Sequence, residues 1–232
     1  MKLSTKLSQV KDCSWNNRAS EFHGGLKYAP CYFMEVVIMD EKEKFRRSID
    51  FSLKWEGGRN FTIVNGKPVI KGAAKNDAGG ATAYGIIIPT LKAAFSAGVV
   101  AHQDICKLTQ EEAREIYRVN FWERYGWGQL EWPACLCCLD CCINHGGFAS
   151  ILQRAAIDCG QSVVVDGKFG PKTFAALKAC DPQLLAGAIY RQRKRYYEKI
   201  VASRPSQKVF LKGWIRRADE MAKETGGVLD VQ

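Results

Sequence analysis

The stretch that most restricts how this chain can fold is residues 45–58, where a helical stripe runs into a pair of glycines. Phe45, Ile49 and Leu53, with Ser52 among them, recur on one face at the helical period, so the stretch reads as a helix with one buried side. Gly57-Gly58 stops that helix, which puts Glu56 in its last turn. Immediately afterwards, Phe61-Thr62-Ile63-Val64 and Lys67-Pro68-Val69-Ile70 form two short β-prone runs around Asn65-Gly66, the strongest local signal for a hairpin. Such a hairpin can form one wall of a cleft beside the helix end.

Most of the chain beyond the hairpin carries helical pattern. Thr109-Gln110-Glu111-Glu112 is a capping box that opens a helix whose buried face is Ala113, Ile116, Tyr117 and Phe121. Trp132-Pro133 marks a break, after which come a cysteine-rich helix to about Ile143 and another from Phe148 to Ile157. An Asp166-Gly167 turn precedes a helix with Pro171 at its first position, and two further helices are expected at 183–202 and 208–223. The fold class is therefore mainly α, with a small β-hairpin beside the cleft.

Three regions are expected. Residues 1–43 show no clear period before the charged cluster Asp40-Glu41-Lys42-Glu43-Lys44, and Met39 leaves open whether they are a native extension or an upstream start. Residues 44–130 form a first lobe and residues 131–223 a helical second region, whether or not the two pack as one body.

Lys and Arg number 34 against 24 acids, a net charge of +10 that suits an acidic polymeric partner. Nucleic acid, anionic lipid and an anionic cell wall all qualify, so the choice falls to the site. Of ten cysteines, Cys135, Cys137, Cys138, Cys141 and Cys142 crowd together, unlike the spread spacing of a disulfide framework. The expectation is a chain kept reduced in a bacterial cytoplasm. Met1 to His23 lacks the apolar core of a signal peptide, and no run reaches the length of a membrane span, so action outside the cytoplasm would need an export partner.

Glu56 is placed for acid chemistry. The carbonyl end of a helix carries partial negative charge, which disfavours a charged carboxylate, and neighbouring Trp55 would add desolvation in the same sense. Gly57 and Gly58 leave room for a sugar ring to approach. A second carboxylate, which glycoside hydrolysis usually needs, is expected at Asp77, 21 residues further on, in a loop containing Gly79 and Gly80. Thr82 offers a hydroxyl to position water, and Tyr84 would line the cleft. Asp77 could equally be a turn residue capping backbone N–H groups, and Thr82 and Tyr84 could be ordinary strand residues.

A helix-end Glu, a hairpin, then Asp and Thr is the order used by lysozyme-like folds. The run Glu56-Gly57-Gly58, an asparagine soon after, and Asp77-x-Gly79-Gly80-x-Thr82-x-Tyr84-Gly85-Ile86 resemble the signatures of glycoside hydrolase family 108. In the second half, Leu139-Asp140-x-x-x-Asn144-His145-Gly146, Leu152-Gln153-Arg154-Ala155, Val165-Asp166-Gly167-x-x-Gly170-Pro171-x-Thr173 and Phe210-x-x-Gly213-Trp214-x-Arg216-Arg217 resemble that family's predicted peptidoglycan-binding region. The family contains N-acetylmuramidases of phage lysis and bacterial secretion systems. The resemblance implies cleavage of the β-1,4 bond between N-acetylmuramic acid and N-acetylglucosamine, without cofactor or metal, by a monomer that reaches the periplasm or wall through a holin or secretion system. It implies Glu56, Asp77 and Thr82 as catalytic residues, with Gly57, Gly58, Gly79, Gly80, Tyr84 and Asn144 on the substrate.

Two other readings compete. A module could hold peptidoglycan without cutting it. The run Arg191 to Arg195 with Tyr190, Tyr196 and Tyr197 resembles a basic, aromatic nucleic-acid surface, although one charged helical face with inward tyrosines explains it more simply, and nucleic acid is not the expected partner. Cys138, Cys141, Cys142 and His145 share a helical face that could suggest a metal, but free cysteine is also a small apolar residue suited to a packed helix.

Overall fold

The computed structural model describes residues 39–70 and 80–226. Most of the expected extension, together with Asp77 and Gly79, lies outside the described residues.

Helix α1 (Glu41–Glu56) starts where the charged cluster begins: the Asp40 side chain accepts a 2.7 Å bond from the Glu43 N–H and caps the helix. It ends at Gly57, whose φ of +73° lies in the left-handed region that breaks the helical path. Strands β1 (Phe61–Val64) and β2 (Lys67–Ile70) pair antiparallel, with Phe61 opposite Ile70 and Val64 opposite Lys67. The connecting Asn65 and Gly66 both have positive φ, as a two-residue hairpin loop requires. Only Phe61 of β1 is buried, so the hairpin is rooted in the core at its base.

A second, smaller hairpin comes next: β3 (Thr82–Ala83) pairs with β4 (Ile86–Ile87) across Tyr84-Gly85, again with both turn residues at positive φ. The glycine-rich loop of the sequence thus turns into strand before Tyr84. Helices α2 (Ile88–Ser96) and α3 (Gln110–Tyr117) lie beyond it, α3 carrying the expected capping box at Thr109 and Glu112. Its end loosens into a π-helical turn at Arg118–Glu123. These elements enclose a first core of Ile49, Leu53, Phe61, Ala83, Ile86, Leu91, Leu108 and Ile116.

The second core is built around α4 (Ala134–Asn144), entered through the cis Trp132–Pro133 peptide. Every residue from Ala134 to Cys142 is buried, because the sequence is apolar around the whole circumference apart from Asp140. The five clustered cysteines are small enough to let neighbouring helices close on α4, and burial raises their thiol pKa values, Cys135 to about 11 and Cys141 to about 12. Around α4 pack α1, α5 (Phe148–Asp158) and α7 (Pro182–Ser203), while α6 (Pro171–Lys178) rests on α5 and α8 (Lys208–Glu224) on α7. Helices α5, α7 and α8 lie within a residue of the expected spans, and α6 starts at the expected Pro171. The result is a mainly α, lysozyme-like fold in which α1 serves both cores: Ile49 and Leu53 face one, Phe51 the other. No helix among the described residues is long and apolar enough to cross a membrane.

Candidate active site

Glu56 sits at the corner where α1 stops, and its side chain keeps 21 % of its surface exposed. The chain leaving it runs alongside the small hairpin. The Tyr84 N–H donates to the Gly58 carbonyl at 3.1 Å, and Arg59 bridges to Ala83. Asn60 closes the arrangement. Its amide nitrogen donates to the Gly80 carbonyl at 3.0 Å, its amide oxygen accepts from the Thr82 N–H at 2.8 Å, and its own N–H donates to the Thr82 carbonyl at 3.1 Å. One side chain thereby holds both ends of the Gly80–Thr82 segment next to the Glu56 corner. The asparagine soon after the two glycines in the sequence therefore has a mechanical role.

Gly85 explains why its turn approaches so closely. A Cβ there would lie 3.0 Å from Glu56 Oε2 and would collide with the Tyr117 hydroxyl, so only glycine allows the contact, quite apart from its positive φ. Tyr117, from α3, donates its hydroxyl to the Tyr84 carbonyl at 3.1 Å. Burial, then the nearby Glu56 charge, push this phenol well above its ordinary range, so it remains a neutral donor.

On its other side Glu56 meets a guanidinium. Arg217 of α8 donates from Nη1 to Glu56 Oε1 at 2.9 Å. The same Arg217 grips Asp140 of α4, from Nη2 to Oδ1 at 2.7 Å and from Nε to Oδ1 and Oδ2 at 3.2 and 3.3 Å. Asp140 also accepts from Arg193 Nη1 at 2.7 Å and from the Ser52 hydroxyl at 3.0 Å. Burial alone would raise the Asp140 pKa, but the charges of Arg217 and Arg193 outweigh it and hold the carboxyl well below the usual range. Arg193 Nε reaches the Tyr197 hydroxyl at 3.1 Å, and that oxygen lies 3.2 Å from His145 Nε2. Burial, assisted by Arg193, pushes His145 down to about 3, so it is neutral around pH 7. Arg193, Asp140 and Arg217 are thus bonded in succession from the core to Glu56 at the corner.

This arrangement corrects one expectation about Glu56. Its surroundings were expected only to disfavour charge; instead the repulsive helix end faces a cation on α8, a residue that no reading of residues 45–58 could supply. The Arg191–Arg195 run is also more than a charged face: Arg193 is fully buried, while Tyr190 and Tyr197 do point inward.

Glu56, Gly57, Gly58, Gly80, Thr82 and Tyr84 are brought together at the corner. Gly57 and Gly58 are open, with nothing within 4 Å of where a Cβ would stand. Thr82 is half-buried and its backbone is engaged in both directions. Asn144 lies at the end of α4, one turn beyond Asp140, where His145 caps the helix. Its amide nitrogen is buried without a hydrogen-bond partner among the described residues.

The sequence reading missed Arg217 as the partner of Glu56 and Arg193 as the second cation on Asp140 in the core behind it, and took Asp140 only as part of a motif. The signal was present: a single acid inside the otherwise apolar run 134–143 needs a buried cation. Arg217 stands on the stripe of Trp214 and Met221, and Arg193 on that of Ile189 and Tyr197, at helical spacings that carry buried residues.

Residues 49–146 match the family described as Glycosyl hydrolase 108, and residues 149–219 match a family described as Predicted Peptidoglycan domain. No curated protein matches the chain. Among solved structures, that of Brucella abortus SagA is similar at 24 % identity and a TM-score of 0.57, covering 82 % of this chain and 98 % of that one. At that identity the likeness speaks for the fold alone.

Proposed function

We propose that this chain is a peptidoglycan hydrolase with Glu56 as its proton donor, on the match of residues 49–146 to the glycosyl hydrolase 108 family and of residues 149–219 to a peptidoglycan domain. The bond cut is the β-1,4 linkage between N-acetylmuramic acid and N-acetylglucosamine. The observation that carries the assignment is the position of Glu56: a carboxyl group at a helix end, one-fifth exposed, fixed on one oxygen and flanked by two open glycines.

A glycan laid over Gly57-Gly58 removes water from the exposed part of Glu56. Arg217, itself held on Asp140 by three bonds, keeps one Glu56 oxygen in place while the glycan is bound. The acid protonates the glycosidic oxygen as the bond breaks, and the oxocarbenium-like sugar is met by a carboxylate or by water. Asp77, in the segment leading to Gly80, is the candidate for that second group, and Thr82 for holding the water. A holin or secretion system is the proposed export partner, and a monomer the proposed acting species.

The deciding experiment is turbidity clearing of purified cell walls by the parent chain and by Glu56→Gln, which removes the transferable proton with little change of volume. Loss of roughly 10²- to 10⁴-fold in rate is expected. Wild-type clearing by the variant would defeat the assignment. Mass spectrometry of the product ends should find reducing N-acetylmuramic acid; reducing N-acetylglucosamine would move the cut to the other linkage. In the same assay a small effect of Asp77→Asn would reduce Asp77 to a structural residue.

A further inference from the structure

We propose that Arg217, which lies in the stretch matching the peptidoglycan domain, is a positioning residue for the acid of the hydrolase stretch. The inference rests on Glu56 being the proton donor and adds what orients it.

The geometry is specific. Nε and Nη2 of Arg217 form a fork on Asp140, and Asp140 is fixed in turn by Arg193 from α7 and Ser52 from α1. A guanidinium is planar, so a fork seated on one carboxylate fixes the direction of the remaining nitrogen. That nitrogen, Nη1, meets Glu56 Oε1 at 2.9 Å. Arg217 is 8 % exposed and Asp140 not at all, so neither can wander with solvent. One Glu56 oxygen is thereby held while the other lies against Gly85.

Stability alone does not account for the arrangement. Burying Asp140, Arg193 and Arg217 costs solvation that their mutual attraction at best offsets, and an apolar set of similar volume would serve packing as well. What an apolar set could not do is aim a carboxyl group at the end of α1. A lysine could not do it either, because a single ammonium has no fork to span two carboxylates.

The groups facing Glu56 are Arg217 from α8 and Tyr117 from α3, with Asp140 from α4 and Arg193 from α7 behind Arg217, and Arg216 stacked 5.5 Å over the neighbouring Trp55. The test is steady-state kinetics of the full chain on soluble glycan fragments, comparing Arg217→Lys, Arg217→Met, Arg193→Lys and Glu56→Gln, with thermal melting of each. Arg193→Lys disturbs the same Asp140 cluster without touching Glu56.

A positioning role predicts that Arg217→Lys lowers kcat on the order of tenfold to a hundredfold with KM within about twofold, while Arg193→Lys costs melting temperature but leaves kcat within about threefold. It also predicts that Arg217→Met, which removes the guanidinium altogether, loses at least as much kcat with KM again within about twofold. Should Arg217→Met fail to fold, the kcat and KM of Arg217→Lys decide. Equal kcat losses in Arg217→Lys and Arg193→Lys, or wild-type kcat in Arg217→Lys, would overturn the inference and leave Glu56 standing. An active Glu56→Gln would instead remove the reading on which it rests.

Discussion

Asp140 and Glu56 share one guanidinium yet live in opposite circumstances. Asp140 is sealed in the α4 core, with both oxygens saturated by Arg217, Arg193 and Ser52. Glu56 is at the rim, held through one oxygen and bordered by backbone without side chains. A carboxylate whose bonds are all made inside the protein has nothing left to offer a substrate; one whose bonds are half made is restrained without being used up. The same contrast holds for the surroundings. The α4 side is packed by α1, α5 and α7, whereas the Glu56 side is two small hairpins joined through Asn60, so rigidity behind the acid coexists with access in front of it.

The comparison is broken most forcefully at Asp140. Asp140→Asn leaves Arg193 and Arg217 without their shared anion in a dry site, and a loss of about 3–5 kcal/mol is expected in urea unfolding. Glu56→Gln, one guanidinium away, should change stability by no more than about 1 kcal/mol while removing activity. If the two variants proved equally destabilised, the division into structural and chemical carboxylates would fail.

Acid should find the core side first. His145 is held neutral to about pH 3 in the folded state, against an ordinary value of 6.5, so between those limits the unfolded chain binds the extra proton. Stability is then complete above about pH 6.5 and falls as pH drops, by roughly 1.4 kcal/mol per unit. Asp140, held below its ordinary 3.8, adds a further loss only below that pH. Urea midpoints at pH 7, 5.5 and 4.5 measure the slope, and His145→Gln should flatten it; an unchanged slope would place the sensitivity elsewhere.

The backbone beside Glu56 should matter less to stability than Asp140 does. Asn60→Ala removes the two side-chain bonds that hold Gly80 and Thr82, costing about 1–3 kcal/mol at most in global unfolding. Its effect on wall clearing should be disproportionate, because the freed segment borders the Glu56 corner. Normal clearing by this variant would show that the Gly80–Thr82 backbone need not be held.

Much of this could be read from the chain in order. The stripe of Phe45, Ile49 and Leu53, the stop at Gly57, the Asn65-Gly66 turn and the Thr109 capping box are local devices, each decided by residues within a turn or a hairpin of one another, and they appear where the periods place them. The position of Glu56 at a helix end beside open backbone was legible for the same reason. The grip of Arg217 was not, because 161 residues separate it from Glu56 and 77 from Asp140.

Sequence alone determined which side chains are obliged to be inside, including an acid in an apolar helix that must find a positive partner. It could not say which of 34 basic residues would answer, since that depends on α7 and α8 closing over α4 and bringing Arg193 and Arg217 to the same oxygens. Periodicity is a property of neighbours along the chain, whereas charge pairing in a dry interior is decided by distances that exist only once the helices have packed.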